Sequence, residues 1–282
     1  MKLVSFRRNG TSGYGVVKDD GIVDIGARLS SAPTLRALLE TDGLDKAREL
    51  ASTCDTDFPL AEIEFEPVVP DPAKIICIGL NYHDHVQETG REVTPNPTLF
   101  TRYPASQAGH EQPMIKPLES DKFDYEGELA VIIGRGGRRI SRDDALAHVA
   151  GYSCYNDGSI RDWQGHTSQF LAGKTFVATG GFGPWMVTAD EIPDPSTLTL
   201  TTRLNGEVLQ QSSTDLLITP IPNLIAYIST ILPLEPGDVI VSGTPGGVGF
   251  KRNPPVYMRD GDTVEVEISK IGTLVNPIRA ES

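Results

Sequence analysis

A β-dominated α+β fold is what this chain predicts, on three observations. Short strand-like runs recur along its whole length, and glycine- and proline-rich loops separate them. No regular alternation of strand and helix links them into parallel βαβ units. A single stretch, from about Pro222 to Ile231, reads as a clear amphipathic helix.

The elements follow in order. Lys2 to Phe6, Tyr14 to Val17 and Ile22 to Asp24 read as short strands, and Thr34 to Leu39 and Leu44 to Ala51 as short helices. The proline-rich connector Glu66 to Pro72 then separates a small N-terminal α/β domain, residues 1–68, from a larger one, residues 69–282. Lys74 to Ile78 is a buried strand, and Asn81 is placed to cap a helix reaching about Glu88. Residues 95–117 are loop with a strand at Thr98 to Thr101, and Ser141 opens a helix with Asp143 and Asp144 in its first turn. Strands follow at Thr197 to Leu204, Val239 to Ser242 and Thr263 to Ile268, with a hairpin turn at Asn205-Gly206.

Bulk properties exclude several function classes. The 282 residues carry 25 basic and 38 acidic side chains, a formal charge of −13. That argues against nucleic-acid and anionic-membrane partners, though not against an anionic small molecule held beside a local cation. No apolar run approaches the roughly 18–20 residues that span a bilayer, and Met1 to Arg8 lacks a signal-like apolar region. Three scattered cysteines, Cys54, Cys77 and Cys154, fit a reduced, cytoplasmic setting, the last two as core fillers.

Chemistry concentrates at a few points. Glu126-Gly127-Glu128 heads the apolar run Leu129 to Ile133, and side chains two apart on a strand share a face. A third acid, Asp157, ends the run Val149 to Asn156. A Glu-x-Glu pair alone most often marks an exposed strand face. Here the acids open runs of buried character, and unpaired buried carboxylates are costly. An oxygen-only site for Mg²⁺ or Mn²⁺ is the economical reading, since zinc would want His or Cys. His85 and Glu88 stand one helical turn apart, an arrangement that orients an imidazole for proton transfer. His83-x-His85 is a poor half-site for zinc, because residues two apart diverge on a helix. Lys174, flanked by Gly173, could neutralise a developing enolate as readily as be a solvated lysine. The loop Ser242-Gly243-Thr244-Pro245-Gly246-Gly247-Val248-Gly249 has no P-loop ending. It reads as a cradle whose amides and Thr244 hydroxyl hold a substrate carboxylate.

Taken together, these segments resemble the fumarylacetoacetate hydrolase (FAH) family. The resemblance runs through Gly79 to Glu88, Asp124 to Gly134, Val149 to Tyr152, Asn156 to Gln164 and Gly173 to Phe176. It continues through Gly183 to Trp185, Asn205 to Glu207, Pro236 to Ile240 and Gly243 to Gly249, all in family order. It implies a mixed β-sandwich or β-roll catalytic domain with a small N-terminal domain. It implies Mg²⁺ or Mn²⁺ on Glu126, Glu128 and Asp157, and a His85–Glu88 pair on a mobile segment. Arg161, Gln164, Gly243, Thr244 and Tyr82 fall at its substrate positions beside Lys174, and a homodimer is expected. The chain departs from the family at three places. Val177 to Gly181 lacks an aspartate that often follows the Lys-Thr-Phe element, Gly158 replaces a bulkier residue, and Thr101-Arg102-Tyr103 replaces a lysine-containing element. Arg102, Tyr103 and His110 are accordingly candidates for substrate selectivity.

The reaction so implied is metal-dependent hydrolysis of a carbon–carbon bond in a 2,4-dioxo acid, through an enolate steadied by the metal and Lys174. Oxaloacetate decarboxylation, keto–enol isomerisation or hydration of a 2-oxo acid on the same site are the alternatives. A non-catalytic binding or assembly protein would not need His85, Glu88 and Lys174.

Overall fold

The computed structural model describes residues 1–282, and two sheets make up its body. The larger is a mixed, twelve-stranded sheet. Its centre is the antiparallel trio Gly127–Ile133, Val149–Asn156 and Gly180–Thr188. Val239–Val241, Ile75–Gly79 and Thr98–Arg102 extend one side, the first two of these pairing in parallel. The second sheet has five strands, among them Thr199–Leu204, Glu207–Ser213, Thr263–Ile268 and Gly272–Ala280. The architecture is mixed and strand-dominated, without a closed barrel.

The N-terminal strands Lys2–Arg8, Thr11–Lys18 and Gly21–Asp24 extend the other side of the large sheet, because Lys2 and Leu3 pair with Val187 and Met186. Residues 1–68 thus lengthen the sheet of the larger domain and cover one of its faces with the helices Leu35–Glu40 and Leu44–Thr53. Thr34 caps the first of these, its hydroxyl accepting the Ala37 N–H at 3.1 Å.

Strand Gly127–Ile133 is buried on both faces. Leu129, Val131 and Ile133 pack with the five-stranded sheet and the helix Ile221–Ile231. Ala130 and Ile132 pack on the opposite face with the N-terminal helices. The alternation places Gly127 toward the second sheet and Glu126 and Glu128 away from it. A Cβ on Gly127 would lie 2.1 Å from Thr202 Oγ1. Gly127→Ala is therefore expected to destabilise the protein by about 1–3 kcal/mol, as overpacking does, and to loosen the two flanking acids. Denaturant unfolding compared with a Gly165→Ala control, at an exposed glycine where a Cβ meets nothing closer than 3.5 Å, checks this.

Two helix expectations are corrected. Asn81 does not cap the helix His83–Thr89; its amide donates to Thr219 O and Ser242 O and accepts the Thr219 N–H, stitching three segments together. Long-range partners outcompete the local cap. Ser141 does bond Asp144, but only a 3₁₀ turn follows, Ala145–His148. The hairpin at Asn205-Gly206 forms as expected, with φ of 53° and 81°. Cys77 and Cys154 are buried, and burial pushes both thiols up, Cys154 to about 12, as befits core fillers.

Candidate active site

A cavity of about 490 Å³ opens over the acidic end of strand Gly127–Ile133. Glu126, Glu128, Arg161, Gln164, Lys174, His85 and Thr244 line it, with Phe100, Phe170 and Phe250 among its apolar walls. Asp157 lies fully buried just behind, reached by the Asp157 N–H donating to Glu126 O at 2.8 Å. One oxygen from each of Glu126, Glu128 and Asp157 falls within 4.8 Å of the others. Strand ladders create this convergence, since Gly127 pairs with Asn156 across the antiparallel register. Asn156 Oδ1 accepts the Glu126 N–H at 2.9 Å and Gln210 Oε1 the Gly127 N–H at 3.0 Å, fixing the backbone beneath the acids.

Charge is unevenly compensated. Lys174, 1% exposed, puts Nζ at 2.5 Å from Glu126 Oε2 and 2.6 Å from Asp157 Oδ2. Arg161 Nη1 reaches Glu126 Oε1 at 2.7 Å, and Arg102 Nη1 reaches Asp157 Oδ1 at 2.6 Å. Burial alone would raise the Glu126 carboxyl, but Arg161 and Lys174 pull it down to about 2. Glu128 has no cationic partner; its Oε2 accepts only the Gly243 N–H, at 2.5 Å. Burial, and then the charges of Asp157 and Glu126, push its carboxyl well above the usual range. Burial lowers and its two carboxylate partners raise Lys174, with a net rise that keeps it charged. A hard divalent cation fits this donor set: three carboxylates, no nitrogen or sulfur ligand, and one carboxylate left without positive charge.

His85 and Glu88 meet as expected, with Nδ1 2.7 Å from Glu88 Oε1, which leaves Nε2 as the ring nitrogen free for a ligand in the cavity. Their helix ends at Gly90 in the left-handed conformation, φ 69°. Arg161 also donates from Nε to Asp124 Oδ2 and from Nη1 to Gln164 Oε1, while Nη2 is buried without a partner.

Other expectations are corrected. The glycine loop does not reserve its amides for a substrate carboxylate. They grip the protein's own acids: Gly243 N on Glu128, Gly247 N on Glu88, Gly249 N and Phe250 N on Asp124. Thr244 Oγ1 donates to Gly127 O and accepts from Gln210 Nε2, though the residue still lines the cavity. Tyr82 is 1% exposed and packs in the core against Leu217, off the cavity wall. None of the three selectivity candidates lines the cavity. Arg102 sits behind Asp157, and Tyr103 is 56% exposed outside. His110 stacks edge-on against Phe65 and is kept neutral by burial, which lowers it to about 4. The roles of Asp124, Gln210 and the three phenylalanines carried no separate sequence signal, since each depends on partners distant in the chain.

Comparison with known proteins agrees with this architecture. Residues 74–279 match the family described as fumarylacetoacetate (FAA) hydrolase, C-terminal. The chain belongs to the fumarylacetoacetate hydrolase family. It is 39% identical over 262 residues to the mitochondrial oxaloacetate tautomerase Fahd2a of Rattus norvegicus, covering 92% of this chain and 84% of that protein. Among solved structures, the fumarylacetoacetate hydrolase of Exiguobacterium antarcticum superposes with a TM-score of 0.85 at 34% identity. The maleylpyruvate hydrolase of Sphingobium sp. SYK-6, in complex with manganese(II) and pyruvate, does so with 0.84 at 31%. Both structures cover 100% of each chain. By name these relatives are enzymes, one tautomerase and two hydrolases. No helix of this chain is long and apolar enough to cross a membrane.

Proposed function

We propose that this protein is a keto–enol tautomerase for a 2-oxo dicarboxylic acid of the oxaloacetate kind, working with Mg²⁺ or Mn²⁺ on Glu126, Glu128 and Asp157. The observation that carries the reading is the placement of an oriented imidazole, His85, and a buried ammonium, Lys174, on one cavity. Enolisation needs these two: a group that takes a proton from carbon, and positive charge where the oxygen becomes negative. Oxaloacetate tautomerase, the activity named for relatives at 37–39% identity, supports that choice over hydrolysis.

The bound divalent ion would supply a Lewis acid that polarises the 2-oxo group. His85, its Nδ1 tied to Glu88, takes the proton from the carbon beside that group at Nε2 and delivers it to the oxygen to complete the enol. Lys174 holds positive charge beside the developing enolate. The free Nη2 of Arg161 offers a donor to the substrate's carboxylate. Phe100, Phe170 and Phe250 keep the proton transfer away from bulk water.

The test is the ultraviolet decay of enol-oxaloacetate, followed with and without chelator. Acceleration by the Mn²⁺-loaded protein, abolished by chelation and restored by Mn²⁺, is the expected result. No acceleration over buffer sinks the reading.

One observation favours a second reading, hydrolysis of a longer 2,4-dioxo acid. The cavity of about 490 Å³ is roomier than a four-carbon acid requires. Incorporation of label from ¹⁸O-water into a released carboxylate distinguishes it, because tautomerisation incorporates none there.

A further inference from the structure

The three places where the sequence departs from its family meet at one point in space, behind Asp157. Arg102 is fully buried and uses nearly all of its donors. Its Nη1 gives to Asp157 Oδ1 at 2.6 Å and to Gly158 O at 2.9 Å, Nη2 to Thr179 Oγ1 at 2.8 Å, and Nε to Ser106 Oγ at 3.1 Å. Thr179 lies in the segment that lacks the familial aspartate, and its hydroxyl donates onward to Phe176 O at 2.8 Å. Gly158 is forced by the same arrangement, since a Cβ there would lie 2.1 Å from Thr179 O. A Cβ on Gly180 would meet the Arg102 guanidinium at 2.8 Å.

We propose that Arg102, braced by Thr179 and Ser106 and given room by Gly180, is a positioning residue that fixes the orientation of Asp157 toward the cation site. The guanidinium occupies Oδ1, so Asp157 turns a single oxygen, Oδ2, to Glu126 and Lys174. A carboxylate so pinned serves a cation through one oxygen. That suits the near-octahedral demand of Mg²⁺ and Mn²⁺ and disfavours Ca²⁺, which gains from flexible two-oxygen ligation. The proposal rests on the reading of Glu126, Glu128 and Asp157 as a divalent-cation site. A lysine at this position could not reach Asp157, Gly158, Thr179 and Ser106 together, because its donors radiate from one atom rather than from a planar fork.

The experiment is calorimetric titration of chelator-stripped full-length protein with MnCl₂ and separately with CaCl₂, for wild type, Arg102→Lys and Thr179→Val. Loss of such an outer hydrogen-bonding partner typically costs about 10–100-fold in metal affinity. Arg102→Lys is expected to raise the Mn²⁺ Kd by that factor while the Ca²⁺ Kd changes far less, so that the preference for Mn²⁺ shrinks. Thr179→Val is expected to move the ratio the same way by a smaller factor. A merely structural role would lower the melting temperature and leave the ratio of the two Kd values where it was. An unchanged ratio in a folded Arg102→Lys protein overturns the proposal, as does an unchanged ratio in Thr179→Val should Arg102→Lys fail to fold. A wild type that binds no Mn²⁺ overturns the cation-site reading, and this proposal with it.

Discussion

Glu126→Gln and Glu128→Gln are expected to lose activity alike and to move the stability of the metal-free protein in opposite directions. Each replaces an anionic carboxylate of the proposed cation site by a neutral amide, and a Lewis acid there would account for several kcal/mol of barrier lowering, so turnover should fall by about 10³-fold or more. Stability separates them. Glu126 faces two buried cations, Lys174 and Arg161. Neutralising it strands positive charge in the interior, a loss of about 3–5 kcal/mol for a broken buried pair. Glu128 makes no ion pair; burial and the charges of Asp157 and Glu126 oppose it more than the charge of Lys174 helps it. A glutamine there keeps an oxygen for the Gly243 N–H and removes a charge the fold resists, so the chelated protein should become more stable by about 1 kcal/mol or more. Denaturant unfolding of chelated wild type and both variants, with enol-oxaloacetate assays of the Mn²⁺-loaded proteins, checks both halves. If both substitutions destabilise equally, the charge assignment is wrong; if Glu128→Gln keeps full turnover, the ligand assignment is wrong.

His85→Gln is expected to lower kcat by about 10²–10⁴-fold, the range a positioned general acid–base supplies. Mn²⁺ affinity should be little changed, because His85 is not one of the three acids that converge and its hydrogen bond runs to Glu88. Glu88→Gln should cost less. The amide keeps a carbonyl oxygen for the Gly247 N–H but no longer imposes one tautomer on the ring. Stopped-flow tautomerase assays alongside calorimetric Mn²⁺ titrations separate loss of proton transfer from loss of metal. Full kcat in His85→Gln would return the proton-transfer role to another group.

The acidic triad and the His85–Glu88 pair were legible because each rests on a local rule: alternation along a strand and one turn of helix. The same rule explains Gly127, whose missing side chain makes way for Thr202. What escaped reading was contact between distant segments. Asn81 resembles a cap until Thr219 and Ser242 offer its amide partners more than 130 residues away. The loop from Gly243 to Gly249 has the composition of an anion cradle and is one, but the anions are side chains of this chain. Arg102 looked like a selectivity residue because its position in a departing segment was visible and its depth was not. The joining of the N-terminal strands to the large sheet depends on Lys2 and Leu3 finding Val187 and Met186, a pairing no local pattern announces.

The grip of the glycine loop on Glu88, Glu128 and Asp124 has a practical corollary. The donors are peptide groups, so alanine scanning cannot read them: at Gly243 and Gly247, with φ of 104° and 99°, and at Gly249, where a Cβ would overlap Val256 O, it reports steric strain rather than the lost hydrogen bond. Only an edit to the main chain itself, an ester linkage in place of an amide, removes the hydrogen and keeps the conformation, and so exposes what it contributes. Because Gly243 N holds Glu128 and Gly247 N holds Glu88, an ester at the first should loosen the acidic trio alone and one at the second the imidazole's partner alone, so a single stretch of chain lets the two be released separately.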